Sequence, residues 1–277
     1  METIDKKYEK LKKFIREKGK NGAVIAFSGG IDSSTLAAIS HSVLGAKAVA
    51  VTATSPTYTL EELEEAKSIA KEIGIRLILV ETDELLDENF VRNPENRCYY
   101  CKKELLKRLL EKACELRVGA VFEGTNFSDL EDHRPGFKAV KEMQKVYSPW
   151  VEAGFTKDEI RDIAKKMGIS VQDKPANACL ASRVPFNERI TREKLVLIGK
   201  AEQVVRELTG VRQVRVRDHN GLARIEVKKD ERKSLCDAEV LDEIASRLKT
   251  LGFKFVTIDA EGYRTGSMLA TLEEATS

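Results

Sequence analysis

The chain of 277 residues is 42% hydrophobic and 33% charged, a composition typical of a packed globular protein with one large domain or two smaller ones. Its 47 Lys and Arg residues nearly balance its 45 Asp and Glu residues, which disfavours a broad nucleic-acid-binding surface. The charged segment from Glu2 to Lys20 is unlike a signal peptide and no apolar run is long enough to span a membrane, so we expect a cytoplasmic protein that binds neither membrane nor nucleic acid.

Strand and helix patterns alternate along the first half of the chain. A charged amphipathic helix is predicted at 4–18, and the apolar run at 23–27 predicts a buried strand that leads into another helix. Further strands are predicted at 46–53, 75–80 and 120–123, and further helices at 59–73, 96–117 and 156–167. Capping boxes are predicted for Thr59 with Glu62 and for Thr156 with Glu159. This alternation predicts an α/β fold with a doubly wound parallel sheet.

The rest of the chain has a different order of elements. Residues 173–187 contain Pro175 and Pro185, and we interpret them as an active-site segment and an interdomain link. The patterns beyond them predict a helix at 191–208, a hairpin of strands at 211–217 and 222–228, a helix at 238–251 and a strand at 253–259. We therefore expect a nucleotide-binding domain at 1–187 and a smaller C-terminal α+β domain for substrate binding or oligomerisation at 188–277.

The turn at 28–34, Ser-Gly-Gly-Ile-Asp-Ser-Ser, is the most informative motif. Its glycines let the backbone approach a ligand closely, and the start of the following helix attracts anions such as phosphate. The serines add hydroxyl donors, and Asp32 can orient the loop or help to hold Mg²⁺. The turn fits neither a Walker A loop nor a Gly-x-Gly-x-x-Gly fingerprint. A simple Gly/Ser turn before a helix is the alternative.

This pattern resembles the PP-loop of the ATP pyrophosphatase superfamily, whose members adenylate an oxygen of a carbonyl or carboxylate group and release pyrophosphate. A second turn, Gly-Thr-Asn at 124–126, follows the fourth predicted strand and lies at the same carboxyl edge of the sheet. The residues predicted to bind the nucleotide are Ser28, Gly29, Gly30, Asp32, Ser33, Ser34, Gly124, Thr125 and Asp129.

Five cysteines are present, and in a reducing cytosol clustered cysteines indicate metal binding or catalysis rather than disulfides. Cys98 and Cys101 form a C-x-x-C pair at the predicted start of a helix, and Cys179 lies far away in sequence. One pair is half of a zinc site and the histidines lack zinc spacing, whereas three thiolates suit an iron–sulfur cluster with one open iron. We expect Cys114 and Cys236 to be small buried hydrophobic residues.

Four elements together resemble the LarE family. They are the PP-loop, Gly-Thr-Asn-x-Ser-Asp at 124–129, Arg-Pro-Gly at 134–136 and Ala-Cys-Leu-Ala-Ser-Arg-x-Pro at 178–185. The resemblance runs from about Ile4 to about Gly266, and the last element is more diagnostic than the PP-loop, which many enzymes share. LarE proteins are ATP-dependent sulfurtransferases that make the nickel-pincer nucleotide cofactor of lactate racemase.

The resemblance implies that ATP with Mg²⁺ adenylates a carboxylate of pyridinium-3,5-biscarboxylic acid mononucleotide, and that sulfur then displaces AMP to leave a thiocarboxylate. The second carboxylate is converted to a thiocarboxylate in the same way. In one branch of the family the residue at the position of Cys179 gives up its sulfur and becomes dehydroalanine. In another branch three cysteines hold a 4Fe-4S cluster whose free iron binds sulfide. Because this chain has Cys98 and Cys101 as well as Cys179, the resemblance favours the cluster branch and predicts that the three cysteines converge.

Four charged residues of the C-terminal part also match family positions. Arg215 and Arg217 alternate along a predicted strand, share one face, and resemble the pair that grips the substrate phosphate at a subunit interface. A solvated strand face is the alternative. Glu202 and Glu226 match carboxylates that can bind a divalent metal, with ordinary surface charge as the alternative.

Further roles follow from position in the chain. Ser182 and Arg183 closely follow the motif cysteine and are predicted to orient the substrate. Asp129 and Arg134 are predicted to face the nucleotide, and Trp150 to serve packing rather than chemistry. Family members assemble as hexamers, so we expect a homo-oligomer by analogy.

Other functions stay open on the sequence alone. The PP-loop chemistry could serve a tRNA thiolase, which the balanced charge disfavours, or an ammonia-using synthetase like those that make GMP or NAD, which has no need of three cysteines. A regulatory nucleotide-binding protein with a structural metal is a third class. Pyrophosphate release with a carboxylate substrate would eliminate that class.

Overall fold

The computed structural model describes residues 3–130, 135–171 and 179–273. The chain forms two compact units. The first consists of Met1–Glu84 and Asn96–Asn177, and the second of Leu85–Glu95 and Ala178–Ser277.

The first unit contains a five-stranded sheet. Its strands are β1 (Ala23–Ala26), β2 (Ala48–Thr54), β3 (Arg76–Glu81), β4 (Ala120–Phe122) and β5 (Val146–Tyr147). They pair in parallel in the order β3-β2-β1-β4-β5, so the order reverses between β1 and β4. Such a reversal opens a crevice beyond the carboxyl ends of the two strands, and ligands bind there in open α/β sheets.

Helices cover both faces of this sheet. In chain order, the helices up to residue 166 are α1 (Ile4–Lys18), α2 (Ile31–Leu44), α3 (Leu60–Ile73), α4 (Glu88–Val91), α5 (Arg97–Glu115), α6 (Pro135–Glu142), α7 (Pro149–Ala153) and α8 (Lys157–Lys166). All of these belong to the first unit except α4, which belongs to the second. On one face, Ile25 and Phe122 pack in a cluster with α1, α2, α3 and α8. On the other, Val24 and Val121 pack with α5 and α6. The predicted doubly wound fold is confirmed.

Local signals in the sequence account for most element ends in this unit. Both predicted capping boxes are present, at Thr59 with Glu62 and at Thr156 with Glu159. The second strand begins at Ala48 rather than at residue 46, because Gly45–Lys47 form a 3-10 turn. No element was predicted from the sequence for β5, α6 or α7, which contain only two, eight and five residues.

The second unit contains a three-stranded sheet and three helices of its C-terminal part. These elements are α9 (Arg192–Thr209), β6 (Val214–His219), β7 (Leu222–Val227), α10 (Ala238–Leu251), β8 (Phe255–Ile258) and α11 (Ala270–Glu273). β6 and β7 pair antiparallel, and β7 and β8 pair parallel. The predicted α-β-β-α-β order is confirmed, although β6 begins three residues later than expected. Val214, Val216 and Ile225 face an apolar cluster with α9 and α10.

The segment Leu85–Glu95 joins the second unit although it lies between two elements of the first. The side-chain amide of Asn93 donates to the carbonyl oxygens of Val184 and Pro185, at 3.2 and 2.6 Å. These contacts explain why residues 179–187 belong with the second unit, whereas the sequence placed the domain boundary at 187/188. Of the predicted irregular stretch, residues 173–178 lie outside the described residues. None of the helices in the described ranges is both long and apolar enough to cross a membrane.

Candidate active site

The PP-loop connects β1 to α2 at the carboxyl edge of the sheet. Gly29 has a φ of +68°, and a Cβ built there would lie 3.0 Å from the Cα of Ala66, so both its conformation and its surroundings require glycine. Gly30 caps α2 in an extended conformation. The hydroxyl of Ser33 accepts from Ser28 N at 3.2 Å and donates to Gly30 O at 3.1 Å. The turn therefore presents the first-turn amides of α2 toward the crevice.

Ser34 differs from the other two serines of the loop. Its Oγ is buried and has no hydrogen-bond partner within the described residues. The hydroxyls of Ser28 and Ser33 lie 3.1 Å apart and hold the turn itself. Ser34 is thus the one predicted serine donor that the turn does not use.

The loop after β4 meets the PP-loop across the reversal in strand order. A Cβ on Gly124 would lie 3.3 Å from Ser33 N. Asn126 donates through Nδ2 to Asp32 Oδ1 at 3.1 Å, and its backbone N–H donates to Asp129 Oδ2, also at 3.1 Å. Asp129 N donates in return to the side-chain oxygen of Asn126. Asn126, which is fully buried, therefore connects the two loops. From the sequence it had no predicted role beyond membership of the motif.

Glu123, the last residue before Gly124, is a buried carboxylate at this edge. It accepts from Lys102 Nζ at 2.8 Å, from Thr125 Oγ1 at 2.7 Å and from Ser148 Oγ. Burial alone would raise the pKa of Glu123, but the ammonium group of Lys102 and the two hydroxyls outweigh it and lower the pKa below its usual value. Neither Glu123 nor Lys102 was predicted from the sequence to belong to the site. Thr125, predicted to bind nucleotide, is engaged with Glu123.

Cys98 and Cys101 lie one turn apart near the start of α5. Cys98 is exposed and Cys101 is half-buried, with its Sγ 3.9 Å from Glu84 Oε1. Cys179 is half-buried and belongs to the second unit. In the described parts of the chain, no group of three or more His, Cys, Asp or Glu side chains is arranged to hold a metal ion.

The two remaining cysteines contradict the expectation of burial. Cys114 and Cys236 are both exposed. Cys114 lies on α5 next to Ala113, and the buried stripe of that helix runs through Leu106, Leu109 and Ala113, so its side chain faces away from the core. Cys236 follows a 3-10 turn rather than lying within a helix.

Arg183 organises the polar part of the second unit. Its Nε and Nη2 donate to the two oxygens of Glu202 at 2.7 and 3.1 Å, and both side chains are 3% exposed. Its Nη1 donates to the carbonyl oxygen of Cys179 at 3.0 Å and to Ser182 Oγ at 2.9 Å. The guanidinium group thus fixes the segment that follows the motif cysteine. Arg134, predicted to face the nucleotide, lies outside the described residues.

Arg215 and Arg217 lie on one face of β6, and they are only 4% and 5% exposed. The alternative of a solvated strand face is therefore wrong. Arg217 donates to Glu226 Oε2 at 2.7 Å and to Ser182 O at 3.0 Å. The guanidinium of Arg215 lies 5.4 Å from the ring centroid of Tyr263. Burial, with the nearby charge of Arg183, lowers the pKa of Arg215 to about 10.

Glu202 and Glu226 are buried, so they are not ordinary surface charges. Glu202 is held by Arg183 and also accepts from Val216 N. Glu226 is held by Arg217 and by Arg224, whose Nη2 lies 3.2 Å from Oε1. Two carboxylates already paired with guanidinium groups do not fit a divalent cation, which would have to displace these groups. Their metal-binding role stays a prediction that these contacts disfavour.

Comparisons with known proteins extend over both units. Residues 3–107 match the family model of NAD synthase. A Synechocystis protein without a functional name is 43% identical over 265 residues, 96% of this chain and 97% of its own. Pyridinium-3,5-bisthiocarboxylic acid mononucleotide synthase of Lactiplantibacillus plantarum is 36% identical over 253 residues, 91% of this chain and 90% of its own. A Methanocaldococcus jannaschii protein without a functional name is 34% identical over 94% of this chain and 98% of its own.

The family model covers the PP-loop and the C-x-x-C pair, and the similarity to the L. plantarum synthase continues through the second unit. These comparisons confirm the membership of the LarE family that the four motifs indicated. The chain belongs to the LarE family and is a PP-loop enzyme, an ATP-dependent sulfurtransferase.

Proposed function

We propose that this enzyme converts the two carboxylates of pyridinium-3,5-biscarboxylic acid mononucleotide to thiocarboxylates at the expense of ATP, in nickel-pincer cofactor biosynthesis. The observation that carries the proposal is the 36% identity, over 91% of the chain, to a synthase named for the bisthiocarboxylic acid mononucleotide. The PP-loop at the reversal of strand order supports it, because anionic ligands bind at that position in α/β sheets.

In the first step a substrate carboxylate oxygen attacks the α-phosphorus of ATP, and the bond to pyrophosphate breaks. The first-turn amides of α2 bind the phosphates, and Asp32, at the same turn, would hold Mg²⁺ with them. In the second step sulfur attacks the carbonyl carbon of the acyl adenylate. AMP leaves with the original carboxylate oxygen, and a thiocarboxylate remains. Repetition at the second carboxylate completes the product.

For the sulfur source, we propose sulfide and a 4Fe-4S cluster held by Cys98, Cys101 and Cys179. Thiolates are the usual ligands of such clusters, and Cys98 and Cys101 share one side of α5 because they are three residues apart. A bound cluster with three protein ligands supplies one iron that can hold sulfide. In the alternative, Cys179 attacks the acyl adenylate itself. Loss of its Cα proton and cleavage of its Cβ–Sγ bond then give thiocarboxylate and dehydroalanine.

Cluster content decides between these two sources. Iron and acid-labile sulfide per chain are measured after anaerobic reconstitution in the native enzyme, in Cys98→Ala and in Cys114→Ala, the matched control on the same helix. We expect near-stoichiometric loading in the native enzyme and the control, and its loss in Cys98→Ala. Absence of a cluster from the native enzyme, with dehydroalanine at position 179 after one turnover, contradicts the cluster proposal.

The reaction itself is tested by mass spectrometry of the mononucleotide after incubation with ATP, Mg²⁺ and sulfide. We expect two successive exchanges of oxygen for sulfur, each of which releases one AMP and one pyrophosphate.

The match to NAD synthase favours a second candidate, amide formation from ammonia. Amide product that forms equally well in Cys98→Ala and Cys179→Ala would support this candidate. Assembly into a homo-oligomer, a hexamer by analogy with the family, stays a prediction. Light scattering, which measures the molar mass in solution, tests it.

A further inference from the structure

One face of the small sheet is charged yet buried. Arg215 and Arg217 on β6 lie on it, and across the strand pair Arg215 faces Glu226 while Arg217 faces Arg224 on β7. Arg215, Arg217 and Glu226 are at most 5% exposed, and the Arg224 side chain is 25% exposed. Arg224 had no role predicted from the sequence. On this face, β6 and β7 together therefore carry three guanidinium groups and one carboxylate, that of Glu226.

Like charges placed directly opposite each other on neighbouring strands repel. Glu226 offsets this repulsion because it pairs with both arginines, at 2.7 Å to Arg217 Nη2 and at 3.2 Å to Arg224 Nη2. Asp259 holds Arg224 from the other side, at 3.0 Å from Nη1. Ser267 Oγ donates to Glu226 Oε1 at 2.9 Å. Both oxygens of Glu226 are thus engaged, and its contacts hold the guanidinium groups of Arg217 and Arg224 side by side.

Particular side-chain nitrogens on this face lack a hydrogen-bond partner among the described residues. The Nε atoms of Arg217 and Arg224 are buried and have no hydrogen-bond partner within the described residues. The same holds for Nε2 of His219, which shares the face because it lies two residues beyond Arg217 on β6. Buried polar nitrogens are normally satisfied, and a cluster of unpaired donors beside excess positive charge indicates a missing anionic ligand.

We propose that Arg224 provides a third guanidinium group to the site that binds the phosphate of the substrate. It acts there beside Arg217, and Glu226 is the positioning residue that holds Arg217 and Arg224 together. The inference deepens the proposed function, on which the identity of the substrate rests. The ligand chemistry is a phosphate monoester attached to a pyridinium riboside. His219 Nε2 supplies a further contact from the same strand.

Calorimetry on the full chain tests the site without the sulfur chemistry. The probes are nicotinamide mononucleotide, nicotinamide riboside, which lacks the phosphate, and inorganic phosphate. We expect Arg224→Gln to weaken mononucleotide binding by about tenfold to a hundredfold, as loss of hydrogen bonds to a charged group requires, with no change for the riboside. Arg224→Lys should recover part of the loss. Inorganic phosphate distinguishes a general anion site from one that requires the whole mononucleotide.

Two matched variants complete the experiment. Glu226→Gln keeps the shape of the side chain but removes the negative charge that pairs with both arginines, and should weaken mononucleotide binding without affecting the riboside. Arg247→Gln removes an exposed arginine paired with Glu243 and should change nothing. Native-like mononucleotide binding by Arg224→Gln would overturn the proposal. Mn²⁺ binding that is lost in Glu226→Gln would overturn it as well, because it would make Glu226 a metal ligand.

Failure of this inference is distinguishable from failure of the proposed function. If Arg224→Gln loses mononucleotide binding while the native enzyme forms no thiocarboxylate, the site stands and the proposed reaction falls. If the native enzyme forms thiocarboxylate and Arg224→Gln does so with unchanged KM for the mononucleotide, the reaction stands and the role of Arg224 falls.

Discussion

The indole Nε1 of Trp150 donates a hydrogen bond of 3.1 Å to the backbone carbonyl oxygen of Asp32 in the PP-loop. Trp150 is fully buried, and its ring packs edge-on against Phe155 with centroids 5.2 Å apart. The expected packing role is confirmed, and the hydrogen bond adds a second role. The core of the first unit is thereby connected to the turn that we propose binds ATP.

Replacement of Trp150 by Phe keeps an aromatic ring but leaves the Asp32 carbonyl without this donor. We expect KM for ATP to rise several-fold and the free energy of unfolding to fall by about 1–3 kcal/mol, the cost of an unsatisfied buried acceptor. Steady-state kinetics and urea unfolding provide the two measurements. Phe155→Leu, which removes the ring partner and keeps the donor, should lower stability alone. Equal effects of both variants on KM would refute the hydrogen-bond argument.

Gly29 and Gly168 form a matched pair because their φ angles are +68° and +69°. Alanine at Gly168 meets nothing within 4 Å, so Gly168→Ala should cost only the conformational strain of about 1–2 kcal/mol. Alanine at Gly29 would also press on the backbone of Ala66, which cannot rotate away. We expect Gly29→Ala to cost more stability and to abolish ATP binding, measured by thermal unfolding with and without ATP. Equal destabilisation of the two variants would contradict this expectation.

The ion pair of Lys102 with buried Glu123 sets a pH dependence. Because the pKa of Glu123 is lowered in the folded protein, its carboxylate stabilises the fold above the usual glutamate pKa, and that stability is lost as the pH falls through the folded value. In Lys102→Met, burial of Glu123 is opposed only by the remaining hydrogen bonds, so the pKa of Glu123 rises. On acidification the variant therefore begins to lose stability at a higher pH than the native protein does. The variant should lose about 2–4 kcal/mol near neutral pH.

Urea unfolding at several pH values measures this effect. Lys103→Met serves as the control, since Lys103 is exposed and lies beside the ring of Tyr99 rather than Glu123. It should keep the native profile. A Lys102→Met profile parallel to that of the native protein would show that the ammonium group does not hold the pKa of Glu123 down.

The pair of Arg183 with Glu202 is nearly inaccessible to solvent. Removal of Arg183 leaves buried Glu202 with only the more distant Arg206, at 3.8 Å, as a cationic partner, so Arg183→Met should cost about 3–5 kcal/mol in the free energy of unfolding. The exposed pair of Arg161 with Asp158 provides the contrast, and Arg161→Met should cost less than about 1 kcal/mol. Urea unfolding of both variants is the measurement. If Arg183→Met were no more costly than Arg161→Met, Arg183 would have no structural role in fixing the segment after Cys179.

Local rules predicted the sheet and the caps, because apolar runs and the pairs Thr59/Glu62 and Thr156/Glu159 act over a few residues. The contacts around Asn126 and Glu123 could not be predicted in this way. Their partners, Asp32 and Lys102, lie 94 and 21 residues away and come close only through the strand order. A glutamate at the end of an apolar run was the one local signal for Glu123.

The second unit shows the same limit. Alternation along β6 predicted that Arg215 and Arg217 share a face, but it carries no information about burial. Arg224 became visible only through the register that pairs it with Arg217. The exposed position of Cys114 also follows from helix phase relative to the core rather than from the usual preference of cysteine for the interior.

The excursion of Leu85–Glu95 has a consequence for dissection of the molecule. Because the chain leaves the first unit after Glu84 and returns at Asn96, no single cut separates the two bodies. A fragment that begins near residue 178 would lack Asn93, and the carbonyl oxygens of Val184 and Pro185 would lose their donor. The two units are interleaved along the polypeptide, so a gene encoding either one alone would have to splice together distant stretches of sequence.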